Sequence, residues 1–142
     1  MEYKVNVIGC GLAGAEATYQ LSKRGINVNV YEMKPKKFSP AHSSPNFAEI
    51  VCSNSLKSED KGTASGCLKA EMDIFGSLIL DTARETKVPA GTALAVDRNE
   101  FSKKITEKIE SLENVKIFRE EVTSIDLSIP TIIATGPLTS DA

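Results

Sequence analysis

At 142 residues the chain has the length of about one domain, and its 41% hydrophobic and 25% charged residues are ordinary globular composition. That balance excludes a disordered tail and a fibrous protein, and a net charge of -2 gives no overall reason to expect nucleic acid. No apolar run approaches the ~20 residues of a membrane helix, and the N-terminus lacks the layout of a secretory signal, so the expectation is a cytoplasmic protein without a membrane partner.

The first β-branched run, Tyr3 to Ile8, is bounded by glycine and predicts a strand. Leu12 to Arg24 predicts a helix stopped by Gly25, and Asn27 to Glu32 a second strand. Two strands joined by a helix of this length form a parallel, right-handed βαβ unit. Residues 33–66 break the pattern with Pro35, Pro40, Pro45 and many Ser and Asn. They read as a long functional or mobile loop, with a short helix across Phe47 to Val51. Within it Lys34, Lys36 and Lys37 read as a solvated basic stretch, a phosphate role being the lesser alternative.

Leu68, Met72, Phe75, Ile79 and Ala83 step by helical spacing and predict one helix with that face in the core. Thr92 to Val96 predicts a short strand. Asp97 is a candidate N-cap with Glu100 three residues on, and Phe101, Ile105, Ile109 and Leu112 form the inner face of the following helix. Val115 to Phe118, Glu121 to Ile125 and Thr131 to Thr135 predict three more strands. There are no repeats and no low-complexity segment. The fold class is therefore α/β: a Rossmann-like dinucleotide domain, a parallel sheet with a small antiparallel excursion.

The turn Gly9-Cys10-Gly11-Leu12-Ala13-Gly14 is a G-x-G-x-x-G with a strand before it and a helix after it. Glu32 ends the second strand near the ~20-residue spacing of dinucleotide sites. Gly9 permits the tight turn, Gly11 lets a pyrophosphate approach the backbone, and Gly14 lets helix and strand pack closely. The helix start offers N–H groups and partial positive charge to phosphate, and Glu32 would accept the ribose hydroxyls. The turn does not separate FAD from NAD. Two later stretches lean towards FAD: Ala134-Thr135-Gly136, ending a strand, and Val96-Asp97-Arg98, opening a helix with an arginine near the cofactor.

Cys10, Cys52 and Cys67 are an odd set without metal-ligand spacing, and His42 is the only histidine, so no metal is expected. The three read as free thiols in a reducing compartment. Cys10 reads as a small filler of the phosphate turn and Cys67 as structural. Cys52 ends a short apolar run and opens a turn of Ser53, Asn54 and Ser55. It is either an inert thiol or a reactive one, with the turn donating hydrogen bonds and Lys57 supplying charge. His42 is either an ordinary loop residue or a substrate contact and proton carrier.

Taken together, VIGCGLAGAEA, YEMKP, PAH, FAEIVCSNSLKS, GCLKAEM, VPAGTALAVDRNEFS, REEVTSI and IIATGPLTSDA run from one end of the chain to the other. In them the chain resembles the folate- and FAD-dependent tRNA (uracil-5-)-methyltransferases. CSNSLKS, ALAVDR and ATGPLTS are the specific segments; the glycine turn is shared more widely.

The resemblance implies transfer of a one-carbon unit from methylenetetrahydrofolate to C5 of the T-loop uridine of tRNA, with FAD reduced by NAD(P)H. It implies Cys52 as a catalytic nucleophile facing the flavin, or as the partner of a second cysteine beyond Ala142. Cofactor contacts fall to Gly9, Cys10, Gly11, Leu12, Ala13, Gly14, Glu32, Arg98, Val122, Thr135 and Gly136, and substrate contacts to His42, Ser53, Asn54 and Lys57. Residues 1–142 would then be the N-terminal third, an FAD-binding domain incomplete at its C-terminal end and inactive alone. Two alternatives stand beside it. One is a related tRNA-uridine-modifying flavoprotein, which Cys-Ser-Asn-Ser in place of Cys-Asn-Pro disfavours. The other is an inactive dinucleotide-binding module. Oligomeric state is left open.

Overall fold

The computed structural model describes residues 3–142. Four parallel strands, β1 (Lys4–Ile8), β2 (Asn27–Tyr31), β6 (Val115–Phe118) and β7 (Thr131–Ile133), form one sheet in the order β6-β2-β1-β7. A second, antiparallel sheet of β3 (Ser55–Ser58), β5 (Ala93–Val96) and β4 (Lys87–Val88) runs in the order β3-β5-β4. The helices are α1 (Leu12–Lys23), α2 (Ala64–Phe75), α3 (Leu78–Glu85) and α4 (Arg98–Glu110). The chain is thus the expected α/β fold, with a parallel sheet and a small antiparallel one.

Register explains the core. Val7 pairs with Val30 and Val5 with Val28, so one face of the sheet is a valine surface. Val7, Val28 and Val30 join Ala15 of α1, Leu78, Ile79 and Ala83 of α3, and Phe101, Ile105 and Ile109 of α4 in one buried cluster. The opposite face carries Asn6 and Asn29, buried as a mutual side-chain pair at 3.0 Å, and Tyr31 stacked on Phe118 at 4.9 Å.

Several elements differ from expectation. The stripe from Leu68 to Ala83 is two helices, because Gly76 takes a left-handed φ of 68° and ends α2, and Ser77 then caps α3 by accepting from Leu80 N–H. Leu68 and Phe75 are exposed as a result, while Ile79 and Ala83 are buried. Residues 47–51 are not helical, and residues 121–125 form no strand. The antiparallel excursion is instead the β3-β5-β4 sheet, where short, polar strands exist through pairing with β5. Asp97 does cap α4, accepting from Asn99 and Glu100 N–H. Its own N–H goes to the Thr86 carbonyl, not to Glu100.

The long segment after β2 is pinned. Lys34 is 5% exposed and donates to the Asn46 carbonyl at 2.7 Å and to Glu49 at 3.3 Å, so it is no solvated lysine. Arg119 donates to the Lys34 and Pro45 carbonyls and lies 4.1 Å over the buried Phe47 ring. Ala48 N–H donates to the Cys10 carbonyl and Phe47 N–H to Thr106, which ties the loop to the glycine turn and to α4.

Candidate dinucleotide and thiol site

The glycine turn crosses from β1 into α1 next to the start of the segment after β7. Gly9 has φ 90°, and a Cβ there would stand 2.5 Å from the Ala134 carbonyl oxygen, so only glycine fits. Gly14 faces Gly9 across the turn, and a Cβ on it would run into the Gly9 carbonyl. Gly11 differs: a Cβ there would meet nothing within 4 Å. Its side-chain direction is open, which is what a phosphate approaching the backbone needs.

Gly11 is also the N-cap of α1, without a side-chain cap and with no acidic residue in the first turn. The first in-helix bond is Ala15 N–H to the Gly11 carbonyl at 2.9 Å. The N–H groups of Leu12, Ala13 and Gly14 are therefore left to an external acceptor, at the positive end of the helix.

Glu32 completes the turn from the next strand. It is 6% exposed, accepts Cys10 N–H at 3.1 Å on one carboxylate oxygen and accepts Lys34 N–H at 3.0 Å on the other. Cys10 is fully buried behind it, and burial, then the Glu32 charge, pushes its thiol far above the usual range. Cys10 is a packing residue.

A cavity of about 520 Å³ opens here at the C-terminal ends of β1, β2 and β7, where the strand order reverses around β1. That switch point is where open α/β sheets take ligands. Gly9, Cys10, Gly11, Leu12, Ala13, Glu32, Val122, Thr135 and Gly136 all line it. Gly14 lies beneath it. His42 lines it too, its Nδ1 hydrogen-bonded to Ser39 Oγ at 2.5 Å.

Cys52 is exposed and belongs to a neighbouring polar cavity of about 740 Å³, with Ser53, Asn54 and Arg98. Glu49 and Val51 line both cavities and form their shared wall. Arg98 thus stands with Cys52, away from the phosphate turn. Among the described residues it is the one arginine of four without a hydrogen-bond or ion-pair partner.

The serine-rich turn does not address the thiol. Ser53 Oγ accepts Ser55 N–H, and Asn54 is fastened to Val96 through its side chain at 3.2 Å and its carbonyl at 2.8 Å. Lys57 lines neither cavity; it sits exposed on β3 with φ 66°. Cys67 is exposed on α2 beside Glu71. Sequence reasoning missed Lys34, Glu49 and Arg119: the Lys34–Glu49 pair spans 15 residues and Arg119 reaches the Lys34 carbonyl across 85, so neither contact leaves a local pattern.

A family model described as glucose inhibited division protein A matches residues 4–141. The methylenetetrahydrofolate--tRNA-(uracil-5-)-methyltransferase TrmFO of Thermotoga sp. (strain RQ2) is 59% identical over 138 residues, covering 96% of this chain and 32% of that protein. The protein of the same name from Lactobacillus helveticus (strain DPC 4571) is 56% identical over 142 residues, covering 100% of this chain and 35% of that one. The chain spans about a third of the length of these curated relatives. Among solved structures, p-nitrophenol 4-monooxygenase PnpA from Pseudomonas putida DLL-E4 superposes with TM-score 0.52 at 21% identity, over 87% of this chain and 34% of that one. The Diels-Alderase PyrE3 gives TM-score 0.52 at 18% identity, over 87% and 26%. These two share the fold.

Proposed function

The chain belongs to the glucose inhibited division protein A family, and on that premise we propose that it is the dinucleotide-binding part of a folate- and FAD-dependent tRNA (uracil-5-)-methyltransferase. The observation that carries the reading is 59% identity across 96% of the chain to a protein of that name. The crevice supports it: an open Gly11, uncapped helix N–H groups and an inward carboxylate suit the diphosphate and ribose of FAD.

In this reading Leu12, Ala13 and Gly14 N–H groups hold the diphosphate and Glu32 holds the ribose. Val122, Thr135 and Gly136 wall the crevice. Arg98 meets the cofactor only where an extended dinucleotide runs past Glu49 and Val51 into the second cavity. When bound, the flavin supplies electrons from NAD(P)H for the one-carbon unit of methylenetetrahydrofolate. The chemistry left to this chain is activation of the acceptor. Uracil C5 is a poor nucleophile, and addition of the Cys52 thiolate at C6 makes it enolate-like. Ser53 and Asn54 line the cavity of Cys52, where the uridine would enter, and His42 lines the adjoining crevice. The same thiol explains why Cys52 is exposed in a polar cavity while Cys10 is sealed in the core.

The test is methyl transfer to a tRNA transcript by the full-length protein with FAD, methylenetetrahydrofolate and NAD(P)H. A 5-methyluridine in the T-loop supports the reading. A different modified uridine moves the protein to the related tRNA-modifying flavoproteins, and a colourless protein without flavin removes both.

A further inference from the structure

A continuous polar chain joins the two cavities. Cys10 N–H and Lys34 N–H meet on Glu32. The Lys34 ammonium then reaches Glu49 Oε2 at 3.3 Å and the Asn46 carbonyl at 2.7 Å. Glu49 Oε1 accepts Ser43 N–H at 3.0 Å, Ser43 Oγ at 3.2 Å and Ser44 N–H at 3.1 Å. One carboxylate therefore collects four donors from two ends of the loop that carries His42 and leads into Cys52.

The side chains of Lys34 and Glu49 are 6% and 13% exposed. A buried ion pair of this kind is a poor source of stability, since apolar groups of the same shape often do as well or better. What it provides is a fixed direction, because both oxygens and the ammonium are committed. Glu49 is moreover one of two residues in the wall common to both cavities. A residue needed only to fill space would not have to face both.

We infer that Glu49, acting through Lys34 and the Ser43–Ser44 turn, is the positioning residue that sets the loop bearing His42 and Cys52 against the dinucleotide turn. It touches no reacting atom in this role; it fixes where the thiol and the imidazole stand relative to a ligand spanning the two cavities. The inference rests on the proposed function for its catalytic consequence but not for its geometry.

The experiment compares Glu49→Gln with the parent in the full-length protein, in a Cys67→Ser background, with labelling of Cys52 read on its own peptide by mass spectrometry. Iodoacetamide alkylation of Cys52 is followed across pH, together with flavin content, thermal midpoint and methyl-transfer kinetics. The expected result is flavin content close to the parent, a lower thermal midpoint because the buried Lys34 loses its carboxylate, an alkylation rate altered by about threefold or more, and kcat lower by about tenfold at nearly unchanged KM for tRNA. Glu49→Asp, which keeps the charge but loses the reach, behaves like Gln. An unchanged alkylation profile with unchanged kcat overturns the inference, as does full rescue by Asp. If Glu49→Gln loses the fold, Lys34→Met decides, since it leaves the three serine donors on Glu49. It must alter alkylation in the same direction. If the parent transfers no methyl group, the proposed function falls and the alkylation comparison still decides the positioning role.

Discussion

The carboxylate of Glu32 accepts the backbone N–H of Cys10 at 3.1 Å, across 22 residues of sequence. One contact thereby joins the end of the second strand to the middle of the glycine turn, and it holds Glu32 at the rim of the crevice. Glu32→Gln keeps the size but turns one oxygen into a donor that faces an N–H. The lost bond and the stranded donor cost about 1–3 kcal/mol. The expected outcome is an ADP or FAD dissociation constant raised by roughly tenfold or more. Discrimination against 2′-phospho-ADP also narrows, because the anion that repels that phosphate is gone. Calorimetric titration of both nucleotides measures this, and equal affinities in parent and variant would remove Glu32 from the ribose.

The three cysteines sort by accessibility. Cys10 is buried and its thiol is pushed up, whereas Cys52 and Cys67 are exposed. Native protein treated with iodoacetamide should carry label on Cys52 and Cys67 alone, with Cys10 labelled only after denaturation, as read by peptide mass spectrometry. In the full-length protein, Cys52→Ala should lower methyl transfer by about tenfold or more with flavin content intact. Cys67→Ser should leave turnover unchanged. Equal turnover in Cys52→Ala would take that thiol out of the chemistry.

Acid should weaken the hold of Glu49 on its loop. Burial pushes Glu49 up, but the Ser43 N–H, the Lys34 ammonium and the Ser44 N–H together outweigh it and hold the carboxyl below its ordinary value of 4.5. A carboxyl depressed in the folded state contributes stability that is complete above its ordinary value and is lost as pH falls through the lower, folded one. Stability measured by denaturant at a series of acid pH values should therefore fall more steeply in the parent than in Glu49→Gln. Parallel curves would show that the pair contributes nothing to folding.

The βαβ unit and its turn were legible because their signals are local: β-branched runs, a glycine spacing and one acidic residue. The α4 cap was legible for the same reason, since Asp97 bonds within its own first turn. What escaped was set by partners distant in sequence. Ser55–Ser58 is polar and Lys87–Val88 is two residues long, yet both pair with the apolar β5. The break at Gly76 was hidden because apolar periodicity continues across it, although a glycine followed by a serine is itself a stop-and-start signal. Lys34 looked solvated because nothing near it in sequence shows Glu49 closing over it. Arg98 opens α4 and lines the cavity of Cys52 rather than that of the glycine turn, and no local pattern shows which of the two a helix start faces.

Thr18 in α1 is wholly buried, and its hydroxyl is the one buried side-chain oxygen without a hydrogen-bond partner among the described residues. Valine has the same shape and similar helix propensity, and it carries no group to desolvate. Thr18→Val should stabilise the fold by about 1 kcal/mol, seen as a higher denaturation midpoint with an unchanged denaturant slope. A lower midpoint would mean that the hydroxyl is bonded in solution.

The sharpest test separates two glycines of one turn. Gly14→Ala would ordinarily gain about 1 kcal/mol of helix propensity, but its methyl would collide with the Gly9 carbonyl. Overpacking against rigid backbone costs about 1–3 kcal/mol, so the clash wins and the variant should unfold earlier whether or not a nucleotide is present. Gly11→Ala has the opposite profile. Its backbone, φ -73° and ψ -162°, suits any residue, and nothing lies within 4 Å of the new methyl. The empty-handed protein should keep its melting temperature while FAD or ADP affinity falls, because the methyl stands where the diphosphate must approach. Should Gly11→Ala bind nucleotide as well as the parent, the diphosphate does not lie on this turn, and the assignment of the crevice fails with it.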